Sequence, residues 1–182
     1  TAEPQFADAT VHLARAHLLD GKPDLASLAL DTHRKDSPGL TDPYYRNALA
    51  YCHAAALMGM GKPKLASESA KALLKPGLDA EYRRMTLRLL ADAYVKLDQW
   101  PEAEEALATI IREFPDAEGL LEVRQLLVMA HVSTGKFAEA EALLKEIGQL
   151  HPDAPTVELE RQRVLVLAHM GRLDEALAAY RP

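Results

Sequence analysis

A single cysteine, Cys52, stands among 182 residues, so the chain can form no internal disulfide and no multi-thiolate metal centre. Aromatic residues make up only 5%, which weighs against a surface built to stack on sugars. Basic residues are not in excess: 21 Lys and Arg stand against 27 Asp and Glu, a net charge of −6. That balance disfavours a general binder of nucleic-acid phosphates. No stretch approaches the roughly 18 uninterrupted apolar residues of a membrane span, so no direct membrane insertion is expected of this segment. The N-terminus, Thr1-Ala2-Glu3-Pro4-Gln5, lacks the basic and apolar regions of a secretory signal. Both cytoplasm and periplasm remain open as compartments. A chain that starts at Thr1 and stops in mid-pattern at Pro182 reads as an excerpt of something longer.

Catalytic signatures are missing too. There is no HExxH pair, no serine nucleophile elbow, no phosphate-cradling glycine loop and no inward pair of carboxylates. The expectation is a protein that is not an enzyme, with no cofactor and no metal.

What the chain does have is hydrophobic residues at 48%, dominated by Ala and Leu, together with abundant Glu. These side chains lose little rotamer entropy in a helix, so the composition predicts an all-α protein. A turn residue stands five places before an alanine at Gly21/Ala26, Gly61/Ala66, Asp98/Ala103, Gly135/Ala140 and Gly171/Ala176. The alanines are spaced by 40, 37, 37 and 36 residues, in the range of helical-repeat arrays.

A real repeat reproduces its core contacts at each offset, and this one does. Twelve residues before the alanine stand Ala14, Ala54, Ala91, Val128 and Val164, small enough for close helix approach. Nine before it are His17, Leu57, Tyr94, His131 and Leu167. Four after it are Leu30, Ala70, Leu107, Leu144 and Tyr180, and seven after it His33, Leu73, Ile110 and Ile147. These positions trace an apolar stripe at helical spacing. Pro38, Pro115 and Pro152 then close three repeats. Pro23, Pro63 and Pro101 fall in the first turn of second helices, and Pro43 and Pro155 near the start of first helices, where a missing N–H costs nothing. The pattern predicts first helices near 5–19, 43–59, 79–97, 117–134 and 155–170. Second helices are predicted near 23–35, 63–74, 101–113, 137–149 and 173–180.

In order, the small residue, large apolar residue, turn glycine, alanine, apolar residue and proline resemble the tetratricopeptide repeat. The third repeat carries the resemblance best, with Leu90, Ala91, Tyr94, Trp100, Ala103, Leu107, Ile110 and Pro115. The fourth follows with Leu127, Val128, His131, Gly135, Phe137, Ala140, Leu144, Ile147 and Pro152. The resemblance implies an α-solenoid of about five helix-turn-helix repeats wound as a right-handed superhelix. It spans 1–182 as one segment, with repeats near 5–40, 43–78, 79–116, 117–153 and 154–182. Departures fall at His53 and Arg163, where other repeats have leucine, and in the extra residues of 35–42. The truncated last repeat predicts an exposed apolar face and, with it, self-association through repeat ends.

Bland readings hold for most candidate chemistry. His17 and His131 share a packing position, and Cys52 and His53 point about 100° apart on a helix, too far to share a proton. Trp100 occupies a place held elsewhere by Pro23, Pro63, Phe137 and Leu173, which reads as helix packing. Glu102, Glu104 and Glu105 read as a solvated, dipole-compensating helix start.

The resemblance implies that first helices line a concave groove and that their non-packing side chains contact a protein or peptide partner. In this chain those are Arg15, Tyr51, Met58, Arg88, Asp92, Lys96, Gln125, Met129, Arg161 and Leu165, with Val11, Leu18, Ala55, Val132 and Ala168 alongside. Methionines adapt to varied shapes, and Arg88, Lys96 and Arg161 are suited to carboxylates. The lysine–asparagine carboxylate clamp of chaperone-tail adaptors is missing. The joints Pro115-Asp116-Ala117 and Pro152-Asp153-Ala154 are similar to those of bacterial envelope and secretion repeat proteins. Two other readings stay open: a structural spacer or oligomerisation module of a larger envelope protein, and a carbohydrate-binding accessory segment using Trp100, Tyr44, Tyr45 and Tyr51.

Overall fold

The computed structural model describes residues 3–37, 39–152 and 156–180, with Glu3, Pro4, Thr156 and Tyr180 described in backbone only. Pro38, Pro155 and the Asp153-Ala154 joint, assigned above as helix punctuation, lie outside the described residues, as does the side chain of Tyr180.

Ten α-helices and no strands form among the described residues. They are α1 (Glu3–Leu19), α2 (Pro23–Asp36), α3 (Pro43–Gly59), α4 (Pro63–Leu73), α5 (Ala80–Lys96), α6 (Trp100–Glu113), α7 (Leu120–Ser133), α8 (Phe137–Leu150), α9 (Thr156–His169) and α10 (Leu173–Tyr180). Every predicted helix is present. The largest shift is at α7, which begins three residues later than expected because Gly119 takes a left-handed φ of 78° ahead of it. No helix among the described residues is long and apolar enough to cross a membrane.

The five-residue interval between turn residue and alanine has a local cause. Gly21, Gly61, Gly135 and Gly171 adopt φ between 67° and 76°, and Asp98 takes the same place at 58°. A left-handed residue lets the next N–H reach back to a helix carbonyl five residues earlier: Lys22 to His17, Lys62 to Leu57, Lys136 to His131 and Arg172 to Leu167. This is the Schellman closure of a helix C-terminus. The same residues offer their carbonyls to the N–H of Ala26, Ala66, Ala140 and Ala176, the first bond of the next helix. One turn residue therefore ends one helix and sets the phase of the next. First helices in the N-terminal half start differently. The Asp42 carboxylate accepts from the N–H of Tyr44 at 2.9 Å, and Asp79 does the same for Glu81.

Helix contacts divide the chain into two compact units, Thr1–Asp98 and Gln99–Pro182. In the first unit, α1 packs on α2, α3 on α4, α2 on α3 and α4 on α5, and the first helices α1, α3 and α5 also touch in sequence. Its core joins Val11, Ala14, Ala26, Leu30, Ala48, Cys52, Ala56 and Tyr82. In the second unit, α6 packs on α7, α7 on α8, α8 on α9 and α9 on α10, around Val128, Ala140, Leu144, Ile147 and Val166. The five marker alanines are buried, as are Ala14, Ala54, Ala91 and Val128 twelve residues before them. Cys52 is a buried free thiol.

Within each unit, successive repeats meet at a matched pair of positions. In the first unit Gly59 lies against Pro23, so close that a Cβ at Gly59 would stand 2.8 Å from Pro23 Cβ. In the second unit the equivalent residues are His169 and Phe137, whose rings stack with centroids 5.0 Å apart and planes 5° off parallel.

Candidate partner-binding surface

Residues at 15, 11 and 8 places before the marker alanine line up on one side of each first helix, because these intervals follow the helical repeat. In the first unit this side carries Arg15 on α1, Tyr51 and Met58 on α3, and Arg88 and Asp92 on α5, with Lys96, seven places before Ala103, at its edge. Arg15, Tyr51, Met58, Arg88 and Asp92 are half-buried and Lys96 is exposed. Val11, which the spacing also placed here, is instead 4% exposed and part of the core. It turns inward because α3 packs against α1 at that level.

Tyr82 ties this surface together, although nothing in the repeat pattern singles it out. It lies near the start of α5, 2% exposed, and accepts a 2.9 Å hydrogen bond on its hydroxyl from Arg15 Nη2. The Arg15 guanidinium carbon stands 6.0 Å from the Tyr82 ring centroid. Tyr44 and Tyr51 meet the same ring edge-on at 5.7 and 6.2 Å, the geometry favoured by aromatic quadrupoles. Burial, then the hydrogen bond with Tyr44, raises the Tyr82 phenol well above its ordinary value, and burial raises Tyr51 as well. Both therefore stay neutral hydrogen-bonding groups at physiological pH. Burial also pushes up the Cys52 thiol, against the pull of the neighbouring Arg15. A signal for this cluster was present: four of the six tyrosines fall between residues 44 and 82.

Two of the cations predicted to meet a partner, Arg88 and Arg161, are already engaged. Arg88 Nε contacts both carboxylate oxygens of Asp92, at 3.2 and 3.3 Å, one turn along α5. In the second unit Arg161 makes a two-pronged contact with Glu158 at 2.8 and 3.0 Å. That contact holds the Glu158 carboxyl below its usual range. The apolar members are open: Met129 on α7 and Leu165 on α9 hold the same repeat position and are 43% and 48% exposed. Gln125 is half-buried one turn away from Met129 on α7. The helices α7 and α9 touch directly.

Charged side chains also bind repeat to repeat in the second unit. The carboxylate just after each marker alanine receives the cation four places before the next. Glu104 accepts from Lys136 Nζ at 2.6 Å, and Glu141 from Arg172 Nη1 at 2.8 Å. Hydrogen bonds from Arg172 and Lys145 hold the Glu141 carboxyl below its usual range. His131, at the packing position, lies 3.8 Å from Glu104 through Nδ1. Burial outweighs that carboxylate and lowers the His131 pKa, so the ring is neutral near pH 7.

Antiparallel helix pairs in repeating register, with polar and apolar side chains left open along the first helices, define an α-helical repeat scaffold. Models of the tetratricopeptide repeat family match residues 86–117 and 160–182. The chain thus carries tetratricopeptide repeats in those two stretches. It is similar in fold to a kinesin light chain-like protein with nearly identical TPR-like repeats from Podosopora anserina. The identity is 19%, 94% of this chain and 90% of that one are covered, and the TM-score is 0.76. MamA of strain AMB-1 aligns at 20% identity over 98% of this chain and 87% of that one, with a TM-score of 0.74. A tetratricopeptide repeat protein from Parabacteroides merdae aligns at 16% identity over 96% of this chain and 64% of its own, with a TM-score of 0.78. No curated protein matches the sequence. The family is one of non-catalytic repeat scaffolds for protein–protein interaction, in keeping with the absence of a catalytic signature in the sequence.

Proposed function

We propose that this chain holds a protein or peptide partner on the open side of its first helices, with 1–182 acting as one scaffold segment. The observation that carries this reading is the pair Met129 and Leu165. Leu127 and Val128 on α7 and Val166 and Leu167 on α9 are buried, yet these two large apolar side chains, at one shared place on touching helices, stay nearly half exposed. Beside them, Arg161 and, in the first unit, Arg88 hold carboxylates that a partner's acidic side chains can replace without leaving the guanidinium unpaired. The Pro-Asp-Ala joints favour a bacterial envelope or secretion assembly as the setting.

The test compares partners captured by the wild-type chain with those captured by Met129→Ala/Leu165→Ala and, separately, Arg88→Glu. Loss of the same captured protein from both variants supports the reading. Unchanged capture by both removes the first-helix side from the account.

A second reading, self-association through repeat ends, is favoured by exposed leucines on the outermost helices. Leu173 and Leu177 on α10 are 61% and 60% exposed, and Leu19 on α1 is 91% exposed. Light scattering over a concentration series is expected to show association that Leu177→Glu abolishes. A monomer at every concentration would discard it.

A further inference from the structure

In the first unit, a cleft runs between α2 and α4 with α3 as its floor, on the side of α3 away from Tyr51 and Met58. At 100° per residue, the floor residues Arg46, Ala50 and His53 lie roughly 140° around α3 from Tyr44, Tyr51, Ala55 and Met58. Two adjoining cavities of about 450 and 500 Å³ make up the cleft and share Arg46, Ala50, Ser69 and Ala72. That is room for a few side chains.

The charge of this cleft is opposite to that of the protein. The chain carries −6 overall, yet the described residues lining the two cavities include the cations Arg34, Arg46 and Lys75, beside the neutral rings of His33 and His53, and no Asp or Glu. Asp31 and Asp36 stand near His53 and His33 on α2 but outside the lining. Arg34 reaches Asp31 only at 3.8 Å. Arg46 makes no ion pair among the described residues. Between the cations the wall is apolar: Leu30, Leu40, Leu49 and Ala72.

His33 adds an independent sign of an unfilled site. It lines the cleft, is 3% exposed, and its Nε2 has no hydrogen-bond partner among the described residues. Phe6 stacks on its ring at 4.9 Å. The Thr10 hydroxyl donates to the Phe6 carbonyl at 2.9 Å and faces His33 Nδ1 at 3.3 Å. Satisfying both groups puts the imidazole proton on Nδ1 and leaves Nε2 as a buried acceptor that lacks a donor. A buried, unpaired acceptor is costly.

We propose that this cleft is a second docking site, for a peptide segment of a partner protein carrying a carboxylate side chain between leucine-sized apolar ones. Guanidinium forks match a carboxylate in shape and charge, the leucine wall matches its apolar neighbours, and a peptide also brings N–H donors. A phosphate fits less well. Helix N-termini bind phosphates through free backbone N–H groups, but the Asp42 carboxylate already occupies those of Tyr44 and Tyr45 at the start of α3. The C-terminal turn of α2, the negative end of its dipole, also faces the cleft and opposes the larger charge of a phosphate more than the single charge of a carboxylate. This site is independent of the one on the open side of the first helices.

The test titrates the whole chain with acetyl-Leu-Glu-Leu-Glu-Leu amide, with its Gln counterpart, and with inorganic phosphate, following the ring signals of His33 and His53 by NMR. The expected result is saturable movement of both rings with the Glu peptide and little with the Gln peptide or phosphate. Arg46→Glu is expected to weaken binding at least about tenfold and Arg46→Lys less, whereas Arg112→Glu, at an exposed place on α6 outside both surfaces, leaves it unchanged. Arg46 and Arg34 are exposed, so Arg34→Glu serves as a second variant that also preserves the fold. Equal binding of the Gln peptide, tighter binding of phosphate, no effect of either arginine reversal, or no ring movement at millimolar peptide would each overturn the proposal.

Discussion

The two units repeat one register but join their repeats by different chemistry. In Thr1–Asp98, first helices are held together by Arg15, Tyr44 and Tyr51 around Tyr82, and the repeat joint is a proline seated on a glycine. In Gln99–Pro182, a carboxylate–cation ladder joins successive repeats, and the glycine–proline positions carry a phenylalanine stacked on a histidine. Where the first unit has Ser27 and Ser67 just after the marker alanine, the second has Glu104 and Glu141. The repeat position decides what is buried and what faces the next repeat. It does not decide which side chain fills the place, provided that its counterpart one repeat away is matched to it.

The sharpest way to break this comparison is to exchange core sizes at one position. Leu107, fully buried four residues after Ala103, corresponds to Ala70 in the first unit. Leu107→Ala is expected to cost about 3 kcal/mol by urea unfolding, from lost burial plus the cavity left behind. Ala70→Leu is expected to destabilise by about 1–3 kcal/mol through overpacking. A neutral or stabilising Ala70→Leu would show that the two units do not pack this position differently.

At the joints, Gly59→Ala is expected to cost about 1–3 kcal/mol because the new methyl meets Pro23 Cβ at 2.8 Å. His169→Ala is expected to cost about 1 kcal/mol, since it removes a stack without creating a clash. Equal losses would mean that close approach and ring stacking are equivalent ways of joining repeats.

A third comparison uses salt. Glu104→Ala is expected to cost about 1 kcal/mol at low ionic strength and less at high salt, because Lys136 is half exposed and its attraction is screened. Urea midpoints at two salt concentrations measure it. An effect independent of salt would identify Glu104 as a packing residue.

The smallest effect is with pH. Burial lowers the pKa of His33, His53 and His131 in the folded state. Below the unfolded value near 6.5 the unfolded chain therefore binds more protons than the folded one, and stability falls as pH drops through that region. Glu141, held below its ordinary value, adds a further loss as pH falls below about 4.5. His131→Leu, which installs the residue found at Leu57 and Leu167, is expected to flatten the decline above about pH 5 in urea midpoints. An unchanged slope would assign the decline to His33 and His53.

Much of the fold was legible because its determinants are local. A left-handed turn residue, the alanine five places on and the apolar stripe act within one hairpin, and each helix appears where those signals place it. Only Gly119, whose conformation a sequence pattern does not reveal, moved the start of α7. The candidate surface was legible as a set of positions but not as a set of interactions. The partners of Arg88 and Arg161 sit three or four residues away, within reach of a helix-spacing argument. Arg15 meets Tyr82 across 67 residues, a pairing that no single-repeat pattern encodes.

The sequence by itself determined the class of fold, the helix pairs, the phase between each helix and the next, and most of the residues that had to be buried, since all of these follow from turn geometry and helical period. Tertiary structure alone decided that Val11 belongs to the core, that Pro23 requires Gly59, that Glu104 answers Lys136, and that three cations and two histidines share a cleft whose described lining holds no acid. Those outcomes depend on which side chains successive repeats bring within a few ångströms, and packing, not periodicity, sets that distance.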